Sequence, residues 1–268
     1  MVTGVALVHH ASSITLHGAR SLFRIFNERG SYLVFQCASC ITSHAPHEGP
    51  MRRIVLVQQK GGAAKTTLCV HLAVAAEHAG YKTAIIDTDP QGSASAVWGA
   101  ARGELSPPVA PVLAAELRDA LEAADGDGYQ VVFIDTAPHT APAIEMIARS
   151  VDLAIVPVQP SVLDVAATQR TVDLLRAAKV PAVAVLTRAP PRKDEETGET
   201  ARALESLGLP LLSTWMGERK VYRRALTQGQ AVAEFEPLSK AAQEIKAMWK
   251  ELDRLDTADL LKRELATA

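Results

Sequence analysis

Five short runs of apolar residues, each followed by a helical stretch, constrain this chain more than any other feature. Ile54–Val57, Thr83–Asp87, Val131–Asp135, Leu153–Val158 and Ala182–Leu186 show no alternation of apolar and polar positions. Strands written this way are covered on both faces. Lys65–His78, Leu113–Ala124, Ala141–Arg149, Leu163–Ala178 and Glu195–Leu207 carry helical spacing between and after them, and Gly80 closes the first helix. A short strand is expected at Leu209–Ser213, with helix over Arg219–Thr227 and most of Leu238–Leu265. Strand and helix in alternation imply an α/β fold: a doubly wound, mostly parallel sheet flanked by helices on both faces, with ligands at the C-terminal ends of the strands.

This pattern begins at Met51. Residues 1–50 contain no lysine and hold five of the eight histidines and two of the three cysteines. Cys37 and Cys40, followed by His44 and His47, suggest zinc, but three residues between Cys40 and His44 are too few for an ordinary zinc-finger loop. Residues 1–50 are expected to be a leader, with Met51 a candidate true start; residues 51–251 form the domain and 252–268 a helical tail. No run of eighteen apolar residues occurs, which excludes an integral helical membrane protein. A formal net charge of −2 excludes a globally basic nucleic-acid coat, so any contact with nucleic acid must be a local patch.

Polar chemistry gathers where three of the strands end. The first such segment is Gln58-Gln59-Lys60-Gly61-Gly62-Ala63-Ala64-Lys65-Thr66-Thr67. Glycines let successive N–H groups turn inward at phosphate oxygens, the helix N-terminus behind adds positive potential, and Lys65 places a cation beside them. Thr66 offers a hydroxyl to Mg2+ and Thr67 one to the α-phosphate. The second segment is Asp87-Thr88-Asp89-Pro90-Gln91-Gly92, where two carboxylates two apart leave a strand on one side. In the third, Asp135 ends an apolar strand that has no packing use for a carboxylate. A hydrated Mg2+ does have such a use.

Lys60-Gly61-Gly62-Ala63-Ala64-Lys65-Thr66-Thr67 resembles the deviant Walker A motif, K-G-G-x-G-K-T-T, of the ParA/MinD family of P-loop ATPases, with closest likeness to short ParA-type partition ATPases. Ala64 departs from the family glycine. The resemblance implies an ATP and Mg2+ site built from Lys60 through Thr67, with Thr66, Asp87, Asp89 and Asp135 around the metal. It implies that Asp89 orients the attacking water, a task of positioning more than of proton abstraction. It also implies a homodimer on ATP binding, in which Lys60 reaches the partner's phosphates and acts in catalysis. Asp164 is then a candidate dimer contact, and adenine lies near Thr187-Arg188. Arg219, Lys220, Arg223 and Arg224, four cations in six positions, are the implied nonspecific DNA contacts.

The function so implied is a slow, partner-stimulated ATPase that partitions or positions a plasmid, chromosome locus or protein cargo. It would work with a ParB-like or other small adaptor, in the cytoplasm on the nucleoid. The alternative is a P-loop amide ligase of the dethiobiotin-synthetase or cobyrinate-diamide-synthase type, which offers no use for Lys60 or the arginine cluster. A membrane-binding relative would carry a basic amphipathic C-terminal helix, whereas Leu252–Ala268 mixes acids with bases and has no aromatic anchor. A redox relative would need cluster cysteines, and the domain has only Cys69.

Overall fold

The computed structural model describes residues 22–26, 32–36, 49–138, 141–190, 192 and 194–260. Two short strands, β1 (Leu22–Phe26) and β2 (Tyr32–Gln36), pair antiparallel with each other and do not join the main sheet. The sequence reading placed no strand there. The cysteines and histidines of the zinc pattern lie outside the described residues.

The main sheet contains β3 (Arg52–Leu56), β4 (Thr83–Asp87), β5 (Val109–Pro111), β6 (Val131–Asp135), β7 (Leu153–Val158) and β8 (Ala182–Leu186). All pairings are parallel and the spatial order is β5-β4-β6-β3-β7-β8. Along β3, Ile54 and Leu56 enter one core layer while Val55 and Val57 enter the other, so both faces are covered. Burial on both sides is why these strands read as continuous apolar runs.

On one face lies α1 (Lys65–His78), which packs against the sheet and also against α7 (Lys220–Thr227), α8 (Val232–Phe235) and α9 (Lys240–Asp253). A helix sandwiched in this way needs apolar residues all round, and α1 is buried from Leu68 through Ala76. The other face is covered by α3 (Leu117–Gly126), α4 (Ala141–Ala148), α5 (Val162–Ala177) and α6 (Glu195–Ser206).

Several boundaries differ from the sequence expectation. A π-helical segment, Ser93–Gly99, runs into α2 (Ala100–Arg102) and then β5, none of which had been anticipated. Residues 114–116 form a 3-10 turn before α3. The strand expected at Leu209–Ser213 is reduced to a single bridge between Leu211 and Ala184. The tail boundary at 251 falls inside α9, and both Leu252 and Leu260 are buried in the α1-side core.

Candidate nucleotide site

Topology assembles the site. Strands β4, β6 and β3 are neighbours, and their register sets Asp87 opposite Asp135 and Asp135 opposite Leu56. The three loops leaving these strands therefore open side by side at one sheet edge. Between them is a cavity of about 270 Å³, lined by Gly62 through Thr67, Asp89, Thr136, Pro138 and Arg188.

The glycine-rich loop enters α1 with Gly62 at φ 79° and Ala64 at φ 68°, both left-handed. Glycine adopts that conformation freely, but alanine pays a steric cost of about 1 kcal/mol. Ala64 thus carries backbone strain at the position where the resembling motif has glycine. Ala64→Gly is expected to raise unfolding stability by about 0.5 kcal/mol in urea titration, the relief less the extra freedom glycine gains when unfolded. A fall in stability would show that the loop is not strained there.

Lys65 is buried and donates from Nζ to the Gln58 carbonyl at 3.1 Å. Burial lowers its pKa, while Asp135 and Asp89 act in the opposite direction. The loop is pinned from the α5 side. The buried Gln58 amide donates to Thr168 Oγ1 at 3.0 Å and accepts from Thr171 Oγ1 at 3.2 Å. Gln159 Nε2 donates to the Gly62 carbonyl and Thr187 Oγ1 to the Ala63 carbonyl. Sequence reasoning left Gln58 without a role and placed Thr187 only near adenine; both are supports of the loop. A polar residue directly after a fully apolar strand was the available signal.

Asp135 is fully buried. Its Oδ1 accepts from the Thr136 N–H at 3.1 Å, whereas Oδ2 has no hydrogen-bond partner among the described residues. Burial pushes its pKa up to about 7, opposed by the Thr66 hydroxyl and Lys65 and assisted by Asp87 and Asp89. An orphaned carboxylate oxygen beside a threonine hydroxyl, at the mouth of an anion-binding loop, is a donor set that suits Mg2+. Thr66 and Asp135 therefore fit the metal.

Asp87 is engaged within its own loop. Its carboxylate accepts from Ser95 N–H at 2.8 Å, Ser95 Oγ at 2.9 Å and Asp89 N–H at 3.0 Å, and it does not line the cavity. It anchors the start of the π-helical segment. Asp89 does line the cavity; its own carboxylate accepts from the Gln91 N–H at 2.8 Å.

Lys60 and Gly61 lie outside the cavity wall. Lys60 Nζ is paired with Asp164 Oδ2 of the same chain, and Asp164 Oδ1 is buried without a hydrogen-bond partner among the described residues. The sequence reading placed these two residues across an interface; the structure joins them within one chain. Arg188, at the end of β8, has φ 51° and faces the cavity, with Glu218 3.8 Å from its guanidinium.

The four cations implied as DNA contacts differ in their surroundings. Arg219 is held by Glu244 in a two-pronged ion pair. Arg224 pairs with Glu236 at 3.3 Å and lies over the Phe235 ring, though it stays exposed. Lys220 and Arg223 are exposed, and no partner is found for either among the described residues. The exposed face of α9 adds Lys240, Lys246 and Lys250, which the sequence reading missed. Tyr222, which donates to Glu244 at 2.9 Å, ties α7 to α9. No helix among the described residues is long and apolar enough to cross a membrane.

Residues 54–232 match the family described as the CobQ/CobB/MinD/ParA nucleotide binding domain. A maintenance of carboxysome distribution protein A from Gloeobacter kilaueensis is 32% identical over 222 residues, covering 78% of this chain and 97% of that protein. The chromosome-partitioning ATPase Soj of Thermus thermophilus is 31% identical over 137 residues, covering 41% of this chain and 55% of Soj. Among solved structures, the septum site-determining protein MinD of Pyrococcus horikoshii, complexed with Mg-ADP, superposes with a TM-score of 0.62. It is 20% identical, and the match covers 76% of this chain and 96% of MinD. A complex of Cyanothece McdA with ATP gives a TM-score of 0.61 at 16% identity, over 78% of this chain and 99% of McdA.

Proposed function

The chain belongs to the CobQ/CobB/MinD/ParA nucleotide-binding family, whose ParA/MinD members are P-loop ATPases that use ATP and Mg2+, and from that premise we propose that it is an ATP-driven positioning protein. Two copies close over ATP, the closed dimer holds DNA without regard to sequence, and hydrolysis releases it. The cargo is a plasmid, a chromosome locus or a protein assembly, linked through a small adaptor that stimulates a slow ATPase. The names of the relatives, one concerned with carboxysome distribution and another with chromosome partitioning, support a positioning role. On this reading the protein works in the cytoplasm, on the nucleoid.

In this reading the backbone of Gly61 through Thr67 cradles the phosphates, and Lys65 leaves the Gln58 carbonyl to meet them. Thr66 and Asp135 hold Mg2+, which when bound neutralises charge on the phosphates. Asp89 positions the attacking water from the facing wall. Lys60 contributes from the partner copy.

One observation carries the DNA-binding part. Glu244 and Glu236 beside α7 are already engaged, so Lys220 and Arg223 have no ion-pair partner among the described residues. Lys240, Lys246 and Lys250 extend that charge along α9. Phosphate contacts of this kind are electrostatic and each adds about one unit to the salt dependence.

The test is retention on nonspecific duplex DNA with ATP, ADP or no nucleotide, repeated with Arg223→Ala and Lys60→Ala. Retention is expected with ATP alone. Arg223→Ala should weaken it roughly fivefold to tenfold and lower the slope of log affinity against log salt by about 1. Lys60→Ala should abolish it. Retention regardless of nucleotide, or none at all, would turn the assignment toward the amide ligase.

A further inference from the structure

The turn joining α7 to α8 is gripped from two sides, and both gripping elements start in the nucleotide cavity. The first is α1, which opens with Lys65, Thr66 and Thr67. Further along it, the fully buried His71 accepts the Val232 N–H of α8 at Nδ1, 3.1 Å away, and its ring lies 5.1 Å from the Tyr222 ring of α7. Burial lowers its pKa to about 3, so the ring is neutral and free to accept at any ordinary pH.

The second begins at the Asp89 loop. Gly92, left-handed at φ 64°, opens the π-helical segment whose start Asp87 caps through Ser95. Trp98 then donates from Nε1 to the Gln230 carbonyl at 3.2 Å. Arg102 donates to the Gly229 carbonyl at 3.0 Å and to both oxygens of Glu234 at 2.9 Å, with its guanidinium 4.6 Å from the Trp98 ring centre. Gly229 comes so close that a Cβ would fall 2.3 Å from the Arg102 nitrogen. The turn therefore cannot shift without α2.

We propose that His71, Trp98 and Arg102 are positioning residues that convey the nucleotide state of the cavity to α7, and so to Lys220 and Arg223. A bridge with this construction is stiff: a close-packed backbone contact on one side and a buried hydrogen bond on the other. The consequence for DNA rests on the reading that α7 binds it; the consequence for the turn does not.

The experiment uses the full chain and three variants. His71→Leu removes the acceptor at similar bulk, His71→Asn restores one through Oδ1, and Trp98→Phe keeps the ring beneath Arg102 but deletes its N–H. Hydrogen exchange across 220–236 is compared between the Mg-ATP and Mg-ADP states, alongside nucleotide affinity and the ATP-to-ADP ratio of DNA affinities. The parent should show an exchange difference in that segment. His71→Leu and Trp98→Phe should lose most of it and reduce the DNA ratio at least tenfold, with nucleotide affinity within about twofold. His71→Asn should behave as the parent. If His71→Leu does not fold, Trp98→Phe decides the matter. The proposal falls if the parent shows no nucleotide-dependent exchange there. It falls equally if both disrupting variants keep the parent's difference, or if His71→Asn fails as His71→Leu does. An exchange difference without DNA retention would sustain this proposal and overturn the DNA-binding one.

Discussion

Asp135→Asn is expected to reduce ATP hydrolysis by about a hundredfold or more, and at the same time to make the nucleotide-free protein more stable. Loss of a metal-holding, charge-stabilising group removes about 3 kcal/mol or more from a phosphoryl-transfer transition state. The gain in stability follows from burial. The Asp135 carboxyl has an ordinary value of 3.8 and is pushed up to about 7 in the folded chain. Between those limits the folded state holds a proton that the unfolded chain has released, so stability falls as pH rises from about 4 to about 7. Above pH 7 the nucleotide-free protein must bury a charge whose Oδ2 has no partner. Asparagine never bears that charge, so its advantage should be near zero at pH 4 and on the order of a few kcal/mol at pH 8. Urea denaturation of both proteins across this range measures it. Saturating Mg-ATP should flatten the parent's profile, because the cation then balances the charge that the proton had neutralised. An advantage of the asparagine variant over the parent no larger at pH 8 than at pH 4 would show that Asp135 is not the strained acid of this site.

What could be read from the chain depended on how far apart the interacting residues lie. The strands β3, β4, β6, β7 and β8 were legible because burial on both faces erases alternation, and a run such as Val131–Ile134 has no other use. The Lys60–Thr67, Asp87–Asp89 and Asp135 loops were legible because each follows such a run directly. The π-helical segment was not: Ser93-Ala94-Ser95-Ala96-Val97-Trp98-Gly99 lacks a helical apolar period, and its hold comes from Asp87 on Ser95 and from Gln230 on Trp98. The strand β5 was hidden by Pro107, Pro108 and Pro111, which suit an edge strand and argue against a central one.

Charge misled for a related reason. The cluster from Arg219 to Arg224 looks uniformly free when counted along the chain. Glu244 and Glu236, twenty-five and twelve residues from their partners, take up two of its four cations. The partner of Asp87 was hidden in the same way, since Ser95, eight residues on, holds its carboxylate. At Ala64 the sequence showed a departure from the motif, and the left-handed backbone beneath it came only with the structure.

The Lys60–Asp164 pair yields the second large expectation. Asp164 is 3% exposed in its side chain and Lys60 37%, so the carboxylate depends on the lysine far more than the lysine depends on it. For Lys60 to serve a partner's phosphates, as proposed, this bond must open, and Asp164 would then be a buried charge left alone. Removing one member of such a pair costs about 3–5 kcal/mol when both are buried, and less here because Lys60 is partly solvated. Lys60→Ala should therefore destabilise the folded chain by roughly 2 kcal/mol and also abolish ATP-dependent association. Asp164→Asn removes the tether while keeping its shape, so association with Mg-ATP should tighten about tenfold, equivalent to about 1.4 kcal/mol released from the ground state. Combining the two changes separates the roles. The double variant should recover most of the stability lost in Lys60→Ala, because no lone charge remains, yet it should stay unable to associate or hydrolyse. Sedimentation with and without Mg-ATP, urea titration and phosphate release on the four proteins close the cycle. Association unaltered by Asp164→Asn would mean the pair is only a fastening between the phosphate loop and α5. Hydrolysis surviving in the double variant would remove Lys60 from the chemistry altogether.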